Sequence, residues 1–267
     1  MLGHVLQPEE LLKRIEYRYV QPARELRPWV ERYWSVEWRF ASGEEFQAST
    51  LDDPSTHLTI EQGGVTRHGG TTPGAWFTGP TSAGRFDVQL SKSGSVVGIR
   101  FRPGGCHAFW DRHMLVEADT TQPAEEYFSE SRLLIGVSGN AIAAASTLDD
   151  WLLSQEPTDT DELKHLRLML TTLEKHPSEP LDEIAERAGC SIRTMQRHFR
   201  KLIGVSPKRI LMRARVFRAI AELDDGWERT MPELAYSLGW FDQAHFIRDF
   251  RAVTGSTPAT YTKRRTR

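Results

Sequence analysis

Two stretches of the chain decide its reading. The first is Leu181-Asp-Glu-Ile-Ala-Glu-Arg-Ala-Gly-Cys-Ser-Ile-Arg-Thr-Met-Gln-Arg-His-Phe-Arg-Lys-Leu-Ile-Gly-Val-Ser-Pro207. The second is Met231-Pro-Glu-Leu-Ala-Tyr-Ser-Leu-Gly-Trp-Phe-Asp-Gln-Ala-His-Phe-Ile-Arg-Asp-Phe-Arg-Ala-Val-Thr-Gly-Ser-Thr-Pro258. Arg197 and Arg248, Phe199 and Phe250, Arg200 and Arg251, Gly204 and Gly255, and Pro207 and Pro258 pair at a spacing of 51. Ala185 pairs with Ala235 and Gly189 with Gly239 at a spacing of 50. The second copy therefore has one extra residue in its turn. Seven identities in register, with one insertion placed in a turn, mark an internal repeat.

Each copy reads as helix, glycine turn, helix. In the first, Leu181, Ile184, Ala185 and Ala188 form one apolar stripe. Gly189 supplies a turn in which positive φ is cheap. Ser191 is expected to cap the next helix, and Asp242 its counterpart. Ala185 and Ala235 are small where two crossing helices need close approach. The two helix-turn-helix units are placed at 181–203 and 231–254. A helix over Leu163 to Lys175 precedes them. A connecting helix over Ile210 to Leu223, carrying Arg209, Arg213, Arg215 and Arg218 on or beside it, would fix their spacing.

The second helix of the first unit divides into two faces. Ile192, Met195, Phe199 and Leu202 are predicted to pack inward, while Arg193, Gln196, Arg197 and Arg200 share another face. From Ser191 to Leu202 there are four Lys or Arg residues and no acid. Arginine matches the O6/N7 acceptor pair of guanine, and glutamine the N6/N7 edge of adenine. In the second unit Phe246, Phe250 and Val253 are predicted core. Gln243, His245 and Arg248 are placed to reach DNA, Asp249 would repel phosphate, and Arg251 suits a backbone contact. A packed, hydrogen-bonded His245 is an equal alternative.

Outward from the repeat, the 267-residue chain is long enough for two domains. Its formal net charge of −2 argues against a polyanionic partner. That average hides two opposite halves. Residues 1–159 hold 14 basic and 22 acidic residues, and residues 160–267 hold 20 and 14. The basic half is the one with the repeat, a combination expected of a nucleic-acid reader. The polar, proline-bearing stretch at 156–162 reads as a linker between a domain at 1–155 and one at 163–267. No run approaches about 20 apolar residues, which excludes a membrane helix. The charged start lacks an apolar signal segment. With Cys106 and Cys190 as the two cysteines, a reducing cytoplasm is the expected location.

The first half holds 15 of the 20 glycines and 6 of the 8 tryptophans. Trp34, Val36, Trp38 and Phe40 alternate with Ser35, Glu37 and Arg39, predicting a strand with one inner and one outer face. Runs at 57–61, 86–90 and 96–102 behave similarly, with glycine turns between or beside them, and together suggest a barrel or sandwich. Residues 125–155 read as helical, best from Ala141 to Leu153, with Ile142, Ala145, Leu148, Trp151 and Leu152 as an apolar stripe. The fold class is thus α+β.

No catalytic or metal set is legible. His57, His68, His107 and His113 are scattered, and Cys106-His107 has no second ligand pair. There is no Gly-x-Ser-x-Gly elbow and no phosphate-binding loop. No cofactor and no metal is expected. Arg100 and Arg102 are expected to share a strand face, solvated in preference to anion-binding. Trp29, Trp34, Trp38 and Trp76 are expected to be mostly core.

The motifs Ile184-Ala-x-x-Ala-Gly-x-Ser, Arg197-x-Phe-Arg-Lys-x-x-Gly-x-Ser-Pro207 and Gly239-x-x-Asp-Gln-Ala-His-Phe-x-Arg-x-Phe250, with Gly255-x-Thr-Pro258, resemble the AraC/XylS family of bacterial transcription regulators over about residues 163–262. Phe77-Thr-Gly-Pro80 and Gly98-Ile-Arg-Phe-Arg-Pro-Gly-Gly105 resemble the N-terminal domain of one AraC-like subgroup. The resemblance implies two helix-turn-helix units entering successive major grooves of double-stranded DNA, behind a cupin-like β domain. It implies Arg193, Gln196 and Arg197 as base readers in the first unit, and Gln243, Ala244, His245 and Arg248 in the second. It further implies a small-molecule effector, contact with RNA polymerase, and a homodimer, for which the helix from Ala141 to Leu153 is the candidate contact. The alternatives are a cupin-like enzyme fused to a DNA-binding domain, and a ligand-independent adaptor.

Overall fold

The computed structural model describes residues 11–50, 53–67, 74–81, 86–110, 118–127, 137 and 140–265. They divide into two compact units, one of residues 1–163 with 202–204, the other of 164–201 and 205–267.

The first unit is built on seven antiparallel strands: β1 (Ile15–Val20), β2 (Val30–Arg39), β3 (Glu45–Thr50), β4 (His57–Arg67), β5 (Gly74–Thr78), β6 (Phe86–Phe101) and β7 (Thr121–Pro123). They form one sheet in the order β1-β2-β6-β4-β5-β7, with β3 on β6. The 16-residue β6 is the spine. One of its edges pairs with β4, and the other is shared by β3 and β2. A register shift at Gly63/Gly64 lets β4 follow it. Gly63 has φ +82°, and a Cβ there would lie 2.2 Å from the Ser93 carbonyl oxygen. Such bulges bend a strand and increase its twist. Closure into the expected barrel or sandwich is not shown by the pairings among the described residues. The sheet ends on β1 and β7, and no described pairing joins them. Period-two patterning assigns faces, whereas closure depends on stagger between strands, which it does not encode.

The faces alternate as expected, but the outer one is solvated only in part. Ser35 is 1% exposed, and its Oγ accepts a hydrogen bond from the Ala141 N–H at 2.9 Å. The reason is helix α1 (Ala141–Ser154), which lies on that face and buries Ala141, Ala144, Leu148, Trp151 and Leu152. Asn140 caps it through the Ile142 and Ala143 N–H groups. Asp149 on α1 accepts from the Tyr33 hydroxyl at 2.7 Å and from the Ala23 N–H at 2.9 Å. Burial, and then that carboxylate, raise the Tyr33 phenol well above its ordinary value. The apolar stripe assigned to a dimer contact is therefore largely spent inside the unit. Of its members, Ile142 is the one left exposed, at 57%. The helical expectation over 125–140 becomes a 3-10 turn at Ala124–Glu126, and 128–136 and 138–139 lie outside the described residues.

The opposite face curls around a cavity of about 180 Å³. Its wall corrects the reading of Arg100 and Arg102. Arg100 is buried, with its fork on Asp53 at 2.6 and 3.0 Å and its Nε on Glu31 at 2.8 Å. Arg102 lies past the end of β6, and its Nε donates to the Arg27 carbonyl. Of the four tryptophans, Trp34 lines the cavity, while Trp29, Trp38 and Trp76 are buried. His57 is in the cavity wall and His107 is buried; His68 and His113 lie outside the described residues. Among the described residues no three His, Cys, Asp or Glu side chains are placed to hold a metal.

The second unit is helical: α2 (Asp161–Lys175), α3 (Leu181–Arg187), α4 (Ile192–Leu202), α5 (Pro207–Asp224), α6 (Met231–Ser237), α7 (Gln243–Thr254) and α8 (Pro258–Arg265). Ser206 caps α5 with Pro207 in its first turn, and Thr230 with Glu233 forms a capping box on α6. Val216, Ala219, Leu234, Trp240, Phe246 and Phe250 fill the core under the second repeat. No described helix is long and apolar enough to cross a membrane.

Candidate nucleic-acid interface

The two repeats use the same turn. The Gly189 N–H donates to Glu186 at 2.9 Å and the Cys190 N–H to Ala185 at 3.0 Å; Gly239 donates to Tyr236 at 3.1 Å and Trp240 to Ala235 at 2.9 Å. Both glycines are left-handed, with φ +72° and +84°. Trp240 thus stands where Cys190 does, and the inserted residue is Phe241. It is 85% exposed beside the start of α7. Sequence reading did not single it out; its trace was the change in repeat spacing from 50 to 51.

The second helix of each repeat is capped from the same position. Ser191 Oγ accepts from the Thr194 N–H at 3.1 Å, and Asp242 Oδ1 from the His245 N–H at 2.7 Å. Met195, Phe199 and Leu202 are buried on α4, and Phe246, Phe250 and Val253 on α7. Ile192 departs from the expected inward stripe. It is the first residue of α4 and is 40% exposed, because the buried stripe begins a turn later at Met195.

On the outer faces Arg193, Gln196, Arg197 and Arg200 are exposed, as are Gln243, Ala244, Arg248 and Arg251. None of the five arginines in this set, Arg193, Arg197, Arg200, Arg248 and Arg251, pairs with a described carboxylate. His245 is half-exposed, its Nε2 3.3 Å from Asp249 Oδ2. The same carboxylate oxygen accepts from the Trp240 indole at 2.8 Å. Asp249 is therefore held inward by two donors, which weakens the repulsion of phosphate expected of it. At the shared spacing of 51, Arg193 corresponds to Ala244, Gln196 to Ile247 and Arg197 to Arg248. The first repeat presents three polar groups where the second presents one.

The connecting helix serves structure more than charge. Arg215, half-buried on α5, donates to three backbone carbonyls: Pro177 at 2.6 Å, Glu179 at 3.1 Å and Gly239 at 2.8 Å. Pro177 and Glu179 lead into the first repeat, and Gly239 is the turn of the second. Arg213 is buried with its guanidinium over Phe217, and Arg218 pairs with Glu222 at 2.7 Å.

Residues 184–264 match a family described as a helix-turn-helix domain. The chain is 35% identical over 95 residues to the HTH-type transcriptional activator RhaS of Escherichia coli O139:H28, over 35% of this chain and 34% of that one. The C-terminal unit resembles the helix-turn-helix domain of AraC/XylS-type activators. The match to Escherichia fergusonii RhaS is longer but weaker, 28% over 172 residues, with 58% of this chain and 59% of that one. The chain thus spans about a third to three fifths of the length of these relatives. Ahead of the helix-turn-helix domain, residues 18–123 match a domain family of unknown function, DUF6597. Among solved structures, the AdpA DNA-binding domain in complex with a target DNA is similar at 29% identity and TM-score 0.32, covering 38% of this chain and 90% of that one. An AraC-type regulator from Chromobacterium violaceum is similar at 24% identity and TM-score 0.35, covering 39% and 94%.

Proposed function

We propose that the chain is a sequence-specific DNA-binding transcription regulator whose AraC-type domain at 163–267 reads the major groove and whose domain at 1–155 senses a small molecule. The observation that carries the first half is the exposed Arg193-Gln196-Arg197 set on a capped α4, with its guanidiniums unpaired. Buried against carboxylates they would be structural; exposed and unpaired they are matched to guanine and adenine edges. Arg200 and Arg251 suit phosphate contacts, which position without specifying. Gln243, Ala244, His245 and Arg248 would face the second groove. Ile192, Ala244 and Phe241 add apolar surface for thymine methyl groups and sugar edges.

An 18-residue α5 is about 27 Å long, close to the ~34 Å turn of the duplex. That length suits a monomer reaching two successive grooves on one face. RNA polymerase contact, self-association and action in the cytoplasm follow from the family reading. The sensing half rests on the cavity in the β sheet.

The test is selection of binding sites from random duplexes by the full chain, followed by fluorescence anisotropy across salt. The expected outcome is a bipartite site with half-sites about one turn apart, and log affinity falling with log salt at about −0.9 per phosphate neutralised. Enrichment of no sequence, or binding indifferent to salt, would overturn the reading.

A further inference from the structure

We propose that the cavity inside the β sheet binds a compact monocarboxylate with an apolar body of ring size. The inference rests on the reading of the first unit as the sensing half, and it names the chemistry sensed.

The cavity has two ends. Val36, Val88, Leu90 and Val96 line one, and it is walled by apolar side chains. At the other, β2, β6 and β4 place Arg32, Arg100 and His57 in one cross-strand row, with Trp34, Gly98 and Thr59 in the next. The Trp34 indole lies over Gly98, where a Cβ would come within 2.3 Å of the ring. That glycine lets a flat aromatic side chain lie down on the sheet and leaves open space above it.

Three donors on residues of this wall have no partner. Arg32 Nε, Trp34 Nε1 and Ser55 Oγ are buried without a hydrogen bond, and all three residues line the cavity. Ser55 is 2% exposed. Buried donors are almost always satisfied, and leaving one unsatisfied is costly. Three around one cavity point to a ligand that brings acceptors.

The acceptors already present are committed. Asp53 takes the fork of Arg100 and also the His57 Nε2 at 3.2 Å. Glu61 pairs with Arg67 and accepts from Thr59 Oγ1 at 2.8 Å. A cationic amine, which must donate, finds no uncommitted carboxylate in the wall. The ion pairs agree. Three guanidiniums, of Arg32, Arg67 and Arg100, line the cavity; Asp53 within the lining pairs with Arg100, and Glu61 behind it pairs with Arg67. Glu31, also outside the lining, sits 2.8 Å from Arg100 Nε, and its contact with Arg32 is a loose 3.7 Å, so Arg32 is the guanidinium without a close carboxylate among the described residues. His57 adds no charge at neutral pH, because burial holds its imidazole below the ordinary value. A ligand carboxylate beside Arg32 would supply the close counter-charge it lacks. The volume bounds the rest. A cavity of about 150 Å³ holds benzene, so about 180 Å³ takes a ring or a branched chain of similar size with a carboxylate attached.

The experiment is a thermal-shift and calorimetry series on the full chain with four matched probes: cyclohexanecarboxylate, cyclohexanecarboxamide, cyclohexylmethanol and cyclohexylamine. The carboxylate is expected to raise the β-unit transition by roughly 3–6 °C at tenfold excess over its Kd, and the amine to leave it unmoved. Arg32→Met, Trp34→Phe and Ser55→Ala separate binding from structure. Each removes a donor that no described group satisfies, so Arg32→Met and Ser55→Ala should melt near the wild-type temperature, and Trp34→Phe should lose only the packing of the smaller ring. Affinity for the carboxylate should nonetheless fall, at least tenfold for Arg32→Met and several-fold for the other two. A shift from the amine or the alcohol equal to that from the carboxylate overturns the class of ligand and leaves the sensing role standing. No shift from any probe overturns the site itself. Specific DNA binding, measured in the same samples, reports on the regulator reading independently of either result.

Discussion

Replacing Arg215 with alanine tests whether the two repeats are held as one reader. The side chain spends its guanidinium on the carbonyls of Pro177, Glu179 and Gly239. Hydrogen bonds from charged donors contribute about 1.5–3 kcal/mol each when buried. Arg215 is half-buried, and water would reach part of what it leaves, so about 1 kcal/mol apiece is the appropriate scale and about 3 kcal/mol the expected loss. For a unit of this size that is a fall of roughly 12–24 °C in melting temperature, at about 4–8 °C per kcal/mol. Arg215→Lys supplies a point charge in place of a planar fork, and should recover no more than about 1 kcal/mol. The functional readout is anisotropy on duplexes with two half-sites, compared with the same half-sites separated by an added half turn. Wild type should discriminate strongly between them. Arg215→Ala should keep its affinity for an isolated half-site and lose much of that discrimination, because α5 no longer grips both turns. A stability change under about 0.5 kcal/mol, with spacing preference intact, would refute the reasoning.

The recognition surface gives a ranking: Arg197→Ala should cost about 1–3 kcal/mol in specific affinity and relax the sequence at its position, and Arg248→Ala should cost less specificity; selection on both variants would show the reverse if the second repeat reads more. The turns give another: Gly189→Ala, at φ +72° with no atom within 4 Å, should lose about 1–2 kcal/mol. Gly239→Ala should lose more, since its Cβ would also lie 2.6 Å from the Ser178 carbonyl oxygen; equal melting temperatures would refute the difference. For pH, burial depresses His57 despite the neighbouring Asp53, so the unfolded chain binds the extra proton more readily. Stability of the β unit should therefore fall as pH drops below the ordinary value of 6.5, towards the folded value. His57→Gln should flatten that part of the profile, and a variant with the wild-type slope would remove His57 as its source.

Much of the helical unit was legible because its signals are local. The paired glycines at 189 and 239, the caps Ser191 and Asp242, and the 3.6-residue stripes each determine a few φ, ψ angles or one face. The observed α4 and α7 begin directly after those caps. The β unit was legible only in its faces. Ser35 faces away from Trp34, as alternation demands, yet it is buried because α1 lies over it. Arg100 was assigned to solvent for the same reason. Its partners Asp53 and Glu31 are 47 and 69 residues away in sequence, and no period in the chain reports a pairing at that range. Ile192 was misplaced by the opposite error, an apolar spacing extended one turn past the start of the packed stripe.

The arginines show why charge counts needed the structure. The second half is basic by count, but its cations do different work according to what lies within reach. Arg213 and Arg215 are held against an aromatic ring and three carbonyls. Arg193, Arg197 and Arg200 meet no described acceptor. Only the second kind can gain from a polyanion, since a group already satisfied must first give up its partner. The same logic runs the other way in the first half. Its acidic excess suggests nothing that attracts an anion, yet its interior holds the Arg32 guanidinium with no described carboxylate closer than Glu31 at 3.7 Å. Net charge over a domain governs what approaches from a distance, and screening shortens even that reach to about 10 Å. What is bound is decided by the few groups left without a partner, and in each unit those groups are donors.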